Sequence, residues 1–227
     1  MAPCVPAVKE AVEAWHDNGY KDVTGTTKEL LNYWLKSDHH QADGSLFSYR
    51  YFQREAIETL IYLWEVQRIR SRKELLERYA PALDISLPAY DDFVRLAIKM
   101  ATGSGKTKVM SLVIAWQYLN AVREESPEYA KTFLLIAPNV IVFERLKTDF
   151  EGGRIFHTDP IIPKHMRTDW DFDCMMRGDG ERAATDSVLF LTNIHQLYER
   201  EEKRDDEPEE MVAVLGPKPQ QAQSRVF

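Results

Sequence analysis

Met100-Ala101-Thr102-Gly103-Ser104-Gly105-Lys106-Thr107 lies between two apolar stretches, Phe93-Val94-Arg95-Leu96-Ala97-Ile98-Lys99-Met100 before it and Val109-Met110-Ser111-Leu112-Val113-Ile114-Ala115-Trp116 after it. The first reads as a strand and the second as a packed helix, which sets a glycine-bearing loop on a helix N-terminus. A helix start offers N–H groups without intrahelical partners and a partial positive charge, a seat for phosphate oxygens. Gly103 and Gly105 let the backbone approach such an anion. Lys106 suits the β and γ phosphates of a triphosphate as a point charge, and Thr107 offers a hydroxyl to a bridging Mg²⁺. The general pattern G-x-x-x-x-G-K-[ST] has glycine where this chain has Met100. A chance glycine turn carrying Lys and Thr is the bland alternative, and the flanking strand and helix weigh against it.

Beyond the loop, strand and helix alternate. Lys131 to Pro138 is a buried-strand run that stops at Pro138-Asn139, and Val140 to Phe150 reads as a helix. Gly152-Gly153 marks a turn, Arg154-Ile155-Phe156 reads as a short strand, and Ser187 to Thr192 is a strand leading into Asn193-Ile194-His195-Gln196-Leu197-Tyr198. Strands that are apolar throughout imply a parallel sheet covered on both faces, with ligands at the carboxyl ends of its strands. The loop, Pro138 and Thr192 occupy such ends. Upstream, Val8 to Trp15 has helical spacing, and Thr26-Thr27-Lys28-Glu29 has the form of a capping box opening a second helix. An aromatic cluster from Phe47 to Phe52 runs through Gln53 into a helix up to Trp64. Arg68-Ile69-Arg70-Ser71-Arg72-Lys73 follows; on a continued helix these cations spread around an exposed surface, with phosphate contact as the sharper alternative. Glu74 to Tyr79 reads as helical and Pro81 to Pro88 as a connection. The expected organisation is a helical extension over 1–44, an α/β domain over 45–200 and a charged, Pro- and Gln-rich linker over 201–227.

With 227 residues and 44% hydrophobic content the chain can bury a real core. Cys4 and Cys174 stand far apart, so neither a disulfide framework nor a cysteine zinc site is expected, and a reducing, cytoplasmic setting fits. No stretch approaches the ~18 apolar residues of a membrane span. A net charge of −7 excludes coating of nucleic acid through bulk charge and leaves only focal contacts. His39-His40 has no third ligand at metal spacing, and His157, His165 and His195 are scattered. Glu201-Glu202-Lys203 matches half of a nuclease pattern but lies in a charge run without a strand, so a solvated tail explains it better. Trp15, Trp34, Trp64, Trp116 and Trp170 read as packing residues.

In this order the pieces resemble the first RecA-like domain of a superfamily 2 DNA helicase or translocase, and among these the restriction subunit of type III restriction-modification enzymes. Tyr51-Phe52-Gln53-Arg54-Glu55-Ala56-Ile57 resembles the family's Q motif, Met100 to Thr107 its phosphate loop, Ile136-Ala137-Pro138-Asn139 its motif Ia, and Leu191-Thr192-Asn193-Ile194-His195-Gln196-Leu197 a later segment that touches nucleic acid. The resemblance implies a RecA-like P-loop NTPase fold, with Thr102, Gly103, Ser104, Gly105, Lys106 and Thr107 around the phosphates of ATP and Thr107 on its Mg²⁺. It implies Gln53 on the adenine edge, which asks for a donor and an acceptor together, with Phe52 packed nearby. Pro138, Asn139, Thr192 and Asn193 are implied on the DNA backbone, where contacts hold register without reading bases.

The family's hydrolysis site also needs an Asp-Glu pair at the end of an apolar strand. Asp206-Glu207 follows Lys203-Arg204-Asp205 and precedes a proline, so it does not qualify. The expectation is therefore an incomplete domain, an N-terminal fragment that binds ATP with little turnover. Its parent is expected to be an ATP-dependent DNA motor with a methyltransferase or specificity subunit as partner. Two alternatives use the same loop: a small-molecule kinase, and a nucleotide-gated interaction module without hydrolysis.

Overall fold

The computed structural model describes residues 3–40, 43–81, 95–176 and 185–195. The expected linker over 201–227, the Asp206-Glu207 pair and Phe93-Val94 lie outside them. Two helices open the chain, α1 (Val5–Asp17) and α2 (Gly25–Lys36). A small antiparallel ladder, β1 (His39–His40) with β2 (Leu46–Phe47), follows. Next come α3 (Tyr51–Ile61), widening into a π turn over Tyr62–Val66, then α4 (Arg72–Tyr79). The helix of the glycine loop is α5 (Lys106–Arg123). After it run β3 (Thr132–Ala137), α6 (Val140–Phe150), α7 (Arg154–Thr158), β4 (Asp173–Met176) and β5 (Val188–Asn193). The three long-range strands form one parallel sheet in the order β3-β5-β4, with Leu134 opposite Phe190 and Cys174 opposite Leu189. This is the mixed α/β architecture that the alternation implied. Among the described residues no helix is long and apolar enough to cross a membrane.

Phe133, on one face of β3, meets a nest of rings: Phe172 lies 5.8 Å from it, and Tyr118, Trp170 and Phe156 continue the cluster at 4.8 to 5.9 Å. α5 and the buried Phe143, Leu146 and Phe150 of α6 join this same core. On the other face Leu134 is 61% and Phe190 43% exposed side by side, while Val188 and Thr192, which flank Phe190 on that face of β5, are buried. The parallel sheet is flanked by helices as the alternation implied, with α5, α6 and α7 joining one core with it.

Four readings are corrected. Residues 95–100 form no strand; Arg95, Ala97, Ile98 and Lys99 are exposed and no described strand pairs with them, and extended backbone needs a ladder to satisfy its groups. Arg154-Ile155-Phe156 is helical: Gly152 and Gly153 take φ of 59° and 69° and turn the chain, and burial of both Ile155 and Phe156 does not suit an alternating strand. The second helix starts earlier than Thr26, since Thr24 Oγ1 accepts from Thr27 N at 3.0 Å and is the N-cap. The basic run is not a continued helix. Arg68 takes φ of 51° and breaks it, Arg70 donates to the Trp64 carbonyl at 2.7 Å with its guanidinium over that ring, and a new helix begins after the Ser71 cap.

The helical extension shares the core of the rest. Trp34, 1% exposed, donates through Nε1 to the Ile161 carbonyl at 2.7 Å. Asn120 Nδ2 and Trp116 Nε1 of α5 both donate to Thr27 Oγ1, at 2.9 and 3.1 Å, and Thr27 Oγ1 donates to Glu65 Oε2 at 2.8 Å. Thr24 Oγ1 donates to Asn120 Oδ1, and Glu124 caps the start of α2 by accepting from Thr26 N at 2.9 Å. Buried polar groups matched this fully make one interlocked seam.

Candidate nucleotide-binding site

α5 begins at Lys106, so the glycine loop heads an 18-residue helix, as the pattern requires. The lead N–H groups of such a helix have no intrahelical carbonyl to serve and carry its positive end. Gly103 and Gly105 have φ of 77° and 76°, a region that side chains with a Cβ rarely adopt. A Cβ added at Gly103 would meet nothing within 4 Å, so that side of the loop is open. At Gly105 an added Cβ would collide with Gln53 Nε2 at 2.4 Å. One glycine thus leaves room outside, and the other lets Gln53 in.

Inside the loop, Ser104 Oγ donates to the Ala101 carbonyl at 2.8 Å and closes the turn on itself. Lys106 Nζ donates to the same carbonyl at 2.7 Å while remaining exposed, so the ammonium rests across the loop it is expected to serve. Thr102 is exposed and Thr107, in the first turn of α5, is half-buried. These residues fit a magnesium-bound triphosphate: two left-handed glycines shape the cradle, an exposed ammonium can meet phosphate oxygens, and a first-turn hydroxyl can serve a hard cation.

Gln53 is 5% exposed, on the first turn of α3. Its Oε1 accepts from Arg50 N at 2.9 Å and its Nε2 donates to the Ser104 carbonyl at 3.0 Å. Fold geometry thereby brings together two motif segments fifty residues apart in sequence. Phe52 is exposed at 38%, and Tyr51 beside it lies near Lys9 and Arg54. Sequence reasoning missed Lys108 on α5, whose ammonium pairs with Asp159, and Asp149 on α6, whose carboxyl is pushed above its ordinary range by burial. Their only signal in the sequence is the charge of Lys108 in a helix's first turn.

The second group of expected residues lies at the carboxyl ends of β3 and β5. Ile136 is opposite Thr192 and Ala137 opposite Asn193, so the two segments are adjacent. Pro138 and Asn139 are exposed, and Asn139 caps α6 by accepting from Val142 N at 2.9 Å. Thr192 and Asn193 are buried within β5. Around this edge Val140, Ile141 and Ile194 are exposed. A cavity of about 320 Å³ lined by Thr26, Glu29, Arg123, Glu124 and Asp169 lies at the opposite end of α5. It is roughly 27 Å from the loop, the length of that helix, and takes no part in this site.

Among known families, the one described as type III restriction enzyme, res subunit, matches the chain over residues 46–215. No curated protein and no solved structure matches.

Proposed function

From a chain that belongs to the type III restriction enzyme res subunit family, a family of helicase-type ATPases, we propose that residues 102–107 and Gln53 bind ATP with Mg²⁺ as the nucleotide site of a DNA-dependent motor. The observation that supports this reading is the Gln53 Nε2 bond to the Ser104 carbonyl, which brings that side-chain amide against the glycine loop. Lys106 and the head of α5 meet the phosphate oxygens, and the Thr107 hydroxyl holds the cation, which neutralises charge on the phosphates. Gln53 still has one amide hydrogen and one lone pair for an adenine edge, and Phe52 flanks it on the next position of α3.

The exposed Pro138 and Asn139, above the buried Thr192 and Asn193, form the edge that meets the DNA backbone. The protein acts as the restriction subunit of a type III restriction-modification complex, with a methyltransferase or specificity subunit as partner, in the cytoplasm.

Titration of a fluorescent ATP analogue in Mg²⁺ buffer tests the reading. Lys106→Ala is expected to weaken binding at least about tenfold, since it removes a charge-assisted contact to phosphate. Undiminished affinity in that variant refutes the proposed site.

A further inference from the structure

Lys108 is the third residue of α5, two places beyond Lys106. Helical side chains two apart do not face one another, so Lys108 serves a different neighbourhood. Its ammonium pairs with Asp159 Oδ2, with the lysine 33% and the aspartate 19% exposed. It also lies 5.0 Å over the ring of Phe47. Phe47 meets Tyr49 edge to face at 5.1 Å, and Tyr49 Oη donates to the carbonyl of Pro160, next to Asp159, at 3.2 Å. Asp159 is itself fixed as the C-cap of α7, its N–H donating to the Ile155 carbonyl at 3.1 Å. A closed circuit therefore joins the strap before α3, the first turn of α5 and the end of α7.

A cation in the first turn of a helix is opposed by the positive end of the helix dipole, and Lys106 already stands there. Asp159 neutralises the second cation, and the Phe47 face adds an attraction of its own. The stem of Lys108 also bears on the loop: its Cδ lies 3.9 Å from where a Gly105 Cβ would be, beside the Gln53 amide that approaches the same point. Gly105 thus sits between two braces, Gln53 from α3 and Lys108 from α5.

We infer that Lys108 is a positioning residue for nucleotide binding: clamped by Asp159 and Phe47, it fixes the first turn of α5 so that the loop keeps the shape a triphosphate needs. The inference rests on the ATP reading above and assigns Lys108 no contact with the phosphates.

The test compares ATP affinity, well below each melting midpoint, in the unaltered 227-residue chain, Lys108→Met, Asp159→Asn, the two combined, and Lys108→Arg. Each single variant is expected to bind ATP about tenfold more weakly, the size of a lost charge-assisted, partly buried pair. The combined variant should be no worse than either single one, and Lys108→Arg should stay within about twofold of the unaltered chain, since the charge is kept. A generally loosened fold would lower affinity additively and would not spare the arginine variant. Lys108→Met binding ATP as tightly as the unaltered chain, while Lys106→Ala does not, overturns this inference and leaves the site standing; so do additive losses. An unaltered chain that binds no ATP overturns both.

Discussion

Gln53 commits one amide hydrogen to the Ser104 carbonyl of the loop and one lone pair to Arg50 N, so whatever it contributes to base reading comes from the half that remains. Gln53→Ala leaves the buried Ser104 carbonyl and the Arg50 amide without their partner, and such losses amount to about 1–3 kcal/mol. A lowered urea midpoint together with weaker ATP binding is the expected result. Gln53→Glu is the sharper variant, because it sets a carboxylate oxygen against the Ser104 carbonyl where a donor now stands. If it retains both the midpoint and the affinity, Gln53 does not brace the loop. The loop residues themselves were legible in the sequence because Lys106, Thr107 and the two glycines act within one local turn. Lys108 was not, because its role depends on Asp159, fifty-one residues away.

Among the elements, β3, α6 and β5 could be read from apolar runs bounded by Pro138-Asn139 and by polar residues, and α5 from its dense apolar sequence. β4 escaped notice: Asp173-Cys174-Met175-Met176 is short and opens on a charge, and its strand character comes from pairing with Val188 to Leu191. The apolar run before the loop misled for the converse reason, since Leu96 and Ile98 suggest a strand that residues 95–100 do not form without a described neighbour to pair with. Asn139 offers a test of the proposed DNA edge that separates local stability from contact. Asn139→Ala removes the cap of α6 and should cost about 1 kcal/mol in stability, whereas Asn139→Asp keeps the cap. The aspartate variant is expected to melt like the unaltered chain yet bind single- or double-stranded DNA more weakly in a fluorescence-anisotropy titration, through repulsion of phosphate. Equal DNA affinity would move the interface away from this edge.

Taken as a unit, the chain depends on the seam between α2 and α5. Thr27 is fully buried and its hydroxyl is shared by Asn120, Trp116 and Glu65. Thr27→Val keeps the shape and removes the shared hydroxyl, leaving Trp116 Nε1 to Glu65 and Asn120 Nδ2 to the Trp116 carbonyl, so the loss should be about 1–3 kcal/mol, larger than for a surface threonine. Urea unfolding followed by tryptophan fluorescence measures it directly, since Trp116 lies in the seam. A change under about half a kcal/mol would mean that the seam is not what joins the first two helices to the rest.

The same seam bears on how the chain matures during synthesis. Thr27 leaves the ribosome long before Asn120, its partner 93 positions later. Until α5 emerges, the first two helices have an unmatched polar strip, and closing so wide a span is slow compared with local coiling. Acquisition of the native state therefore waits on translation of α5, and a nascent polypeptide halted before it should remain a client for chaperones rather than a finished module.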